Sequence, residues 1–413
     1  MEQQKTSIDL PFGYELSRNS LEACLSLAYR ELGPPDNSCL GISVRFDLSR
    51  TRFFQIDCLL FLICILSNLK RRGANLAVIL PEIDGQWDFD YRDMEQENAE
   101  KQAVGKARSF LVRWRLKDAL QEAIGSLDDV LPAHQKDYLE TASHFYTPKK
   151  VTENGYSVPV FSCLLIEITH MTRGMDGKKR VSEDEIRTFI ENLAIERRLL
   201  DAIRKAMGRE HDEYFIGEFC HSILWESLIN TEEHPNATLS MLAMARDMNK
   251  KEMIIAISDN GDPIASTIMK AFKASSKYQE IQASIKLQDI DRSVIRTYAG
   301  SADIDSEANE FKEYGAALLY STLKGTSRDM GKPVKKFYVE ETGKARAKKV
   351  IGRGDGLHYV KTRTLEFNGR CYFRAHNASV DFHEDNGRLC VLTRAVAPWP
   401  GNLIAIHLPI IVE

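Results

Sequence analysis

The stretch EMIIAISDNGD, Glu252–Asp262, decides how this chain is read. Glu252 to Ser258 is rich in β-formers, so a strand ending there delivers Asp259 at its carboxyl end, with Asn260, Gly261 and Asp262 in the turn beyond. A carboxylate at a strand end, followed by a glycine that lets a ligand approach the backbone, can accept a hydrogen bond from an exocyclic amine such as that of adenine. Standing alone, the tetrapeptide reads better as a plain Asp-Asn-Gly-Asp turn. Its meaning depends on what flanks it.

Upstream, GEFCHSILWESLINT (Gly217–Thr231) has the pattern of a helix holding Glu226 and Asn230. Four residues apart on a helix means one face and an axial rise of about 6 Å, so a carboxylate and an amide oxygen can point into one pocket. An amide oxygen suits Mg2+, which takes few protein ligands when phosphates and waters supply the rest. A neighbouring carboxylate can polarise a water for attack on a terminal phosphate. Such a pair is weak alone, since it arises by chance roughly once in a chain of this length; its ordinary meaning is a solvated helix face. Downstream, Gly352-Arg353-Gly354-Asp355-Gly356-Leu357 leads into a helix through Val360. Glycines there let backbone N–H groups form a concave anion site at a helix start, where the helix dipole also favours phosphate.

In this order the three stretches resemble the N box and the two glycine boxes of the GHKL ATPase family, which includes gyrase, Hsp90, histidine kinases and MutL. The closing segment Pro400 to Pro409 (PGNLIAIHLP) is similar to that family's last strand, and β-rich runs at Arg370 to Arg374, Ser379 to Phe382 and Leu389 to Arg394 precede it. The resemblance covers roughly residues 182–413. It implies an α/β two-layer sandwich of the Bergerat type that binds ATP with Mg2+. Glu226 is then the water-activating base, Asn230 the Mg2+ ligand and Asp259 the adenine contact. Gly354 and Gly356 supply phosphate-lid backbone, and Gly261, Gly352, Leu357 and Asn402 complete the ATP-binding set. The departures are Pro263 in place of the first box's second glycine, Asn402 in place of threonine, and Thr231 in place of alanine. Residues 264–351 form a long insert, expected as an elaborated lid with helices at Ile264 to Lys277 and Ala308 to Lys324. Its end carries Lys332, Lys335, Lys336, Lys344, Arg346, Lys348, Lys349 and Arg353 against Glu340 and Glu341. That basic run can touch a γ-phosphate, meet an acidic partner, or be a solvated loop.

Residues 1–130 read as a separate α/β domain. Ile42, Val44 and Phe46 alternate as in a half-buried strand, Ile56 to Lys70 is an apolar helix closed by Gly73, and Asn75 to Leu80 is a second strand. A strand, helix, strand unit of this kind makes parallel sheets. It is similar to a STAS-like domain, in which a serine at a helix start accepts phosphate from a GHKL kinase. Here Ile56-Asp57-Cys58 stands at that place without the hydroxyl, which implies a docking or dimerising module, although Ser49 and Thr51 lie nearby. A further helix is expected over Ala103 to Ile124. Residues 131–181 form a connector with one β-rich run, Val158 to Ile168, and a capped helix is expected over Ser182 to Met207. Ser143-His144-Phe145 resembles a histidine-kinase phosphoacceptor box but lacks the acidic neighbour of the histidine.

Composition is that of an ordinary globular chain, with 43% hydrophobic and 28% charged residues. A formal charge of −4 argues against a chain-wide nucleic-acid footprint, while the basic segment 332–353 leaves a local one open. No run reaches the ~18 apolar residues of a membrane span, and the eight cysteines lack Cys-x-x-Cys spacing, so a cytoplasmic protein with reduced core thiols is expected. The resemblance leaves three activities open. One is an ATPase whose lid closure moves or dimerises a regulatory module, through a protein partner or a second copy. The others are a serine/threonine kinase of the anti-sigma-factor type, acting on a STAS partner, and a nucleotide-sensing scaffold without turnover.

Overall fold

Alternation of apolar and polar residues builds the first sheet. β1 (Ser7–Pro11) buries Ile8 and Leu10, β2 is the short Glu15–Leu16, and α1 (Arg18–Leu32) follows, with the Ser17 side chain capping its start. β3 (Ser43–Asp47) buries Val44 and Phe46, β4 is Phe53–Phe54, α2 spans Ile56–Arg71, and β5 (Asn75–Ile79) buries Leu76 and Val78. β1, β3 and β5 are parallel in that order, and the register aligns Ile8, Val44 and Leu76, then Leu10, Phe46 and Val78. Every residue of α2 from Ile56 to Leu69 is buried, which explains a helix apolar on all sides in a chain with no membrane-length helix among its described residues. The expected strand, helix, strand unit is therefore present. The computed structural model describes residues 7–34, 37–82, 99–145, 163–167, 207, 209, 212–227, 230, 237–247, 250–273, 295–298, 315, 317–319, 321–322, 333–339, 345–351, 356–385 and 387–410.

The helix expected over Ala103 to Ile124 is two helices, α3 (Ala99–Arg113) and α4 (Leu116–Ile124). Arg115 breaks it in the left-handed conformation, φ 56°, and pairs with Asp118 at 2.6 Å. The break buries both Trp114 and Leu116 on either side of an exposed arginine. α5 (Ala133–Phe145), which includes His144, lies in the expected connector, and Pro132 stands at its start, where its missing N–H costs nothing. This stretch is stitched to β5: Val78 donates to the Val130 carbonyl at 2.8 Å, and the fully buried Gln135 accepts from the Leu80 N–H at 2.8 Å. Of the β-rich run at Val158 to Ile168, β6 (Cys163–Glu167) is a strand, antiparallel to part of β7 (Ser240–Asp247).

Two compact units result, one of Met1–Glu167, Met241–Ala245 and Ala397–Trp399, the other of Ile168–Ser240, Arg246–Val396 and Pro400–Glu413. In the second, α6 (Glu213–Glu218) runs into a π-helical segment, Phe219–Trp225, and the chain is helical again at Glu226. β8 (Glu252–Asp259) is buried from Met253 to Asp259, and α7 (Ile264–Lys273) follows it. Three strands of the long insert are described: β9 (Ile295–Tyr298), β10 (Pro333–Val339) and β11 (Ala345–Ile351). α8 (Gly356–Glu366), β12 (Arg370–Asp385) and β13 (Arg388–Pro409), apart from its residues Ala397–Trp399, complete the unit. β13 lies between β12 and β8, and β9 joins it in parallel with Ile295 opposite Val391. The short β-rich runs of the sequence are thus parts of two long strands; polar His376 and Asn377 interrupt the apolar pattern of β12, and His376 has φ 54°. The helix expected over Ser182 to Met207 lies outside the described residues except at its last position.

At the start of β8 Glu252 accepts from Arg370 at 3.1 Å and faces His407 Nδ1 at 3.2 Å. Burial pushes the Glu252 carboxyl up, but His407 and Arg370 together outweigh it and hold the group below its ordinary value. A carboxyl with a lowered folded-state pKa adds stability above its unfolded value of ~4.3, and that stability is lost as pH falls through the folded value. Thermal unfolding of Glu252→Gln beside the native chain should show a gap that is widest above about pH 5 and closes toward pH 3.

Candidate functional site

The predicted residues that are described form two groups in the second unit. The first is formed by the helical residues Glu226 and Asn230 against the start of α8. A Cβ placed on Gly356 would lie 2.9 Å from Glu226 Oε2 and 3.2 Å from Asn230 Nδ2. A side chain there would have to push the ends of Glu226 and Asn230 aside, so glycine leaves room for the first turn of α8 beside a carboxylate and an amide. Both side chains are half-buried, and Asn230 Nδ2 donates to the Glu226 carbonyl at 2.6 Å, so the amide oxygen is the atom left to act as a ligand. Leu357, next in α8, is buried.

Contacts further along the helices set this meeting. Phe215 of α6 packs edge-on against Phe367, just past α8, with ring centroids 4.8 Å apart, and the Arg209 guanidinium lies 4.7 Å from the Phe215 ring centre. Arg363 of α8 reaches Glu218 at 2.7 Å and Glu366 at 2.6 Å and donates to the Tyr214 hydroxyl at 3.0 Å. Lys361 is a further anchor: it is buried, its ammonium donates to the Thr322 carbonyl at 2.9 Å, and desolvation lowers its pKa.

The second group surrounds Asp259, the last residue of β8, which is fully buried. Its Oδ1 accepts from the Gly261 N–H at 2.9 Å and from Asn402 Nδ2 at 3.0 Å, and Asn402 also lies 3.2 Å from Oδ2. Asn402 stands opposite Asp259 in the antiparallel pairing of β13 with β8. Its Oδ1 accepts at 2.7 Å from the N–H of Ile264, the first residue of α7. Asn402 therefore orients the carboxylate and satisfies a helix-start donor.

No protein-family model matches this chain, and no curated protein matches it in sequence. Its chemistry rests on the side chains themselves.

Sequence reasoning missed two residues here. Asn260 is buried and accepts from the Thr238 and Leu239 N–H groups at 2.9 and 3.0 Å, holding the turn in shape. Gly401 has φ +93°, and a Cβ on it would lie 2.3 Å from the Asp259 carbonyl oxygen. The Pro400-Gly401-Asn402 sequence was the available signal for it. Gly352 and Gly354 lie outside the described residues. Among those described, no cluster of three His, Cys, Asp or Glu side chains that could hold a metal occurs. A Mg2+ ion held by one amide oxygen, phosphates and water needs no such cluster.

In the first unit Cys58, within the stretch that resembles a STAS acceptor turn, is buried, and desolvation followed by the Asp57 charge drives its thiol well above the usual value. Asp57 itself is buried and paired with Arg18 at 2.8 Å. Neither group is presented for phosphate transfer. Cys24, Cys39, Cys58, Cys64, Cys371 and Cys390 form no disulfide.

Proposed function

We propose that the second unit binds ATP with Mg2+ and hydrolyses it. The observation that carries this reading is the meeting of Glu226 and Asn230 with the Gly356 start of α8. A helix start supplies partial positive charge and unsatisfied N–H groups for phosphate oxygens. Glu226, beside it, is the group to take a proton from an attacking water. Asn230 would hold Mg2+ through its amide oxygen, and the ion would shield the phosphate charge. Asp259, a pure acceptor oriented by Asn402, matches an exocyclic amine. The resemblance to the GHKL family supports the same assignment. Burial of Cys58 favours water over this chain's own first unit as the phosphate acceptor.

Titration calorimetry on the full chain tests this. Mg2+-ATP should bind, Asn230→Ala should weaken binding about tenfold or more in the presence of Mg2+ and much less in EDTA, and Asp259→Asn should weaken ATP while leaving inorganic triphosphate unchanged. Absence of ATP binding, or equal affinities in all three proteins, would reject the assignment.

A further inference from the structure

A charged side chain in the middle of α8 is buried without a carboxylate beside it. The ammonium of Lys361 donates to the Thr322 carbonyl at 2.9 Å and lies 5.4 Å from the centre of the Phe382 ring of β12. Thr322 follows helical residues that include Leu318, Leu319 and Ser321, so its carbonyl belongs to a helix end. Such an end carries about half a unit of negative charge, too little to neutralise an ammonium. No carboxylate among the described residues pairs with Lys361. The titratable group that faces it is the Cys371 thiol of β12, which burial and then the Asp381 charge push far up, so it stays uncharged.

Burying an unpaired charge is costly, and a methionine would fill much the same space without that cost. Packing alone does not call for an ammonium here. Five residues separate Lys361 from Gly356, an axial distance of ~7.5 Å, and a helical side chain leans toward the helix start. Lys361 is about 140° round the helix from Gly356, away from the side that meets Glu226. Resting on the phosphate site proposed above, we propose that Lys361 is a buried counter-charge for phosphates at the start of α8, acting through its field and not by contact. The field of a buried charge is only weakly screened by salt. At an effective dielectric of about 20, two unit charges ~10 Å apart attract enough to change an affinity roughly tenfold.

Calorimetry on the full chain with inorganic triphosphate, free of metal, tests this. Lys361→Met should bind triphosphate about tenfold more weakly than the native chain, and Lys361→Arg, which keeps the charge, should bind it as the native chain does. Desolvation lowers the pKa of Lys361, so its charge is lost as pH rises through a value below the ordinary ~10.4. Between about pH 7 and about pH 10 the native chain should therefore lose affinity relative to Lys361→Arg. A lysine that served only to hold α8 in place through its hydrogen bond would leave that ratio fixed, and a fixed ratio overturns the proposal. Equal affinities of the native chain and a folded Lys361→Met reject the role of Lys361 alone. Absence of triphosphate binding by the native chain rejects it together with the phosphate site.

Discussion

Glu226→Gln is expected to bind Mg2+-ATP as tightly as the native chain and to release phosphate about 10²- to 10⁴-fold more slowly, the usual worth of a general base. Glutamine keeps the shape that fits against Gly356. What it loses is the capacity to accept a proton. Binding and turnover should therefore separate, with the Kd unchanged and kcat collapsed. A phosphate-release assay beside calorimetry reads both. If glutamine turned over ATP at the native rate, Glu226 would be only a helix-start carboxylate, stabilised by the dipole of α8.

The largest stability effect is expected for Gly401→Ala. A φ of +93° is strained for any side chain, and the added Cβ would meet the Asp259 carbonyl oxygen at 2.3 Å and the Asn260 Cα at 3.4 Å, both backbone atoms of the facing segment. Neither can rotate away. Moving the strands apart would also break the Gly401 N–H bond to the Gly261 carbonyl, 2.8 Å long. Backbone strain and overpacking together should cost on the order of 2–6 kcal/mol, a large part of a domain's typical ~5–15 kcal/mol. Gly387→Ala is the control. Its φ is +71° but no atom lies within 4 Å of the added carbon, so only the conformational penalty of about 1 kcal/mol remains. Urea denaturation of the two variants should differ several-fold in free energy; equal losses would mean that β8 and β13 yield at this point.

How far the fold could be read depended on where burial is local. β3, α2 and β5 were legible because alternation and a long apolar run encode them within a few residues. β1 is only Ser7–Pro11 and carries two apolar residues, too little to signal a strand by itself. The break at Arg115 is invisible to helical periodicity, since it exists to bury two neighbours that no single helix face can hold. β10 and β11 were hidden by their lysines, which strands disfavour. At the candidate site, Glu226, Asn230 and Asp259 could be named from spacing. The work of Asn402 could not, because its bonds to Asp259 join residues 143 positions apart. Gly401 is the same case: its need for glycine comes from a neighbour's carbonyl, which only the folded sheet supplies.

The two helices that carry the candidate catalytic groups touch at both ends but through unlike materials. At one end rings meet, Phe215 on Phe367; at the other a carboxylate and an amide lie against a glycine. Parting the rings would wet apolar surface at roughly 25 cal/mol per Å2, whereas water readily replaces the polar contacts. The pair is thus built like a clothes-peg, with its spring at the aromatic end and its jaw at Glu226, and thermal opening is expected to begin at the jaw.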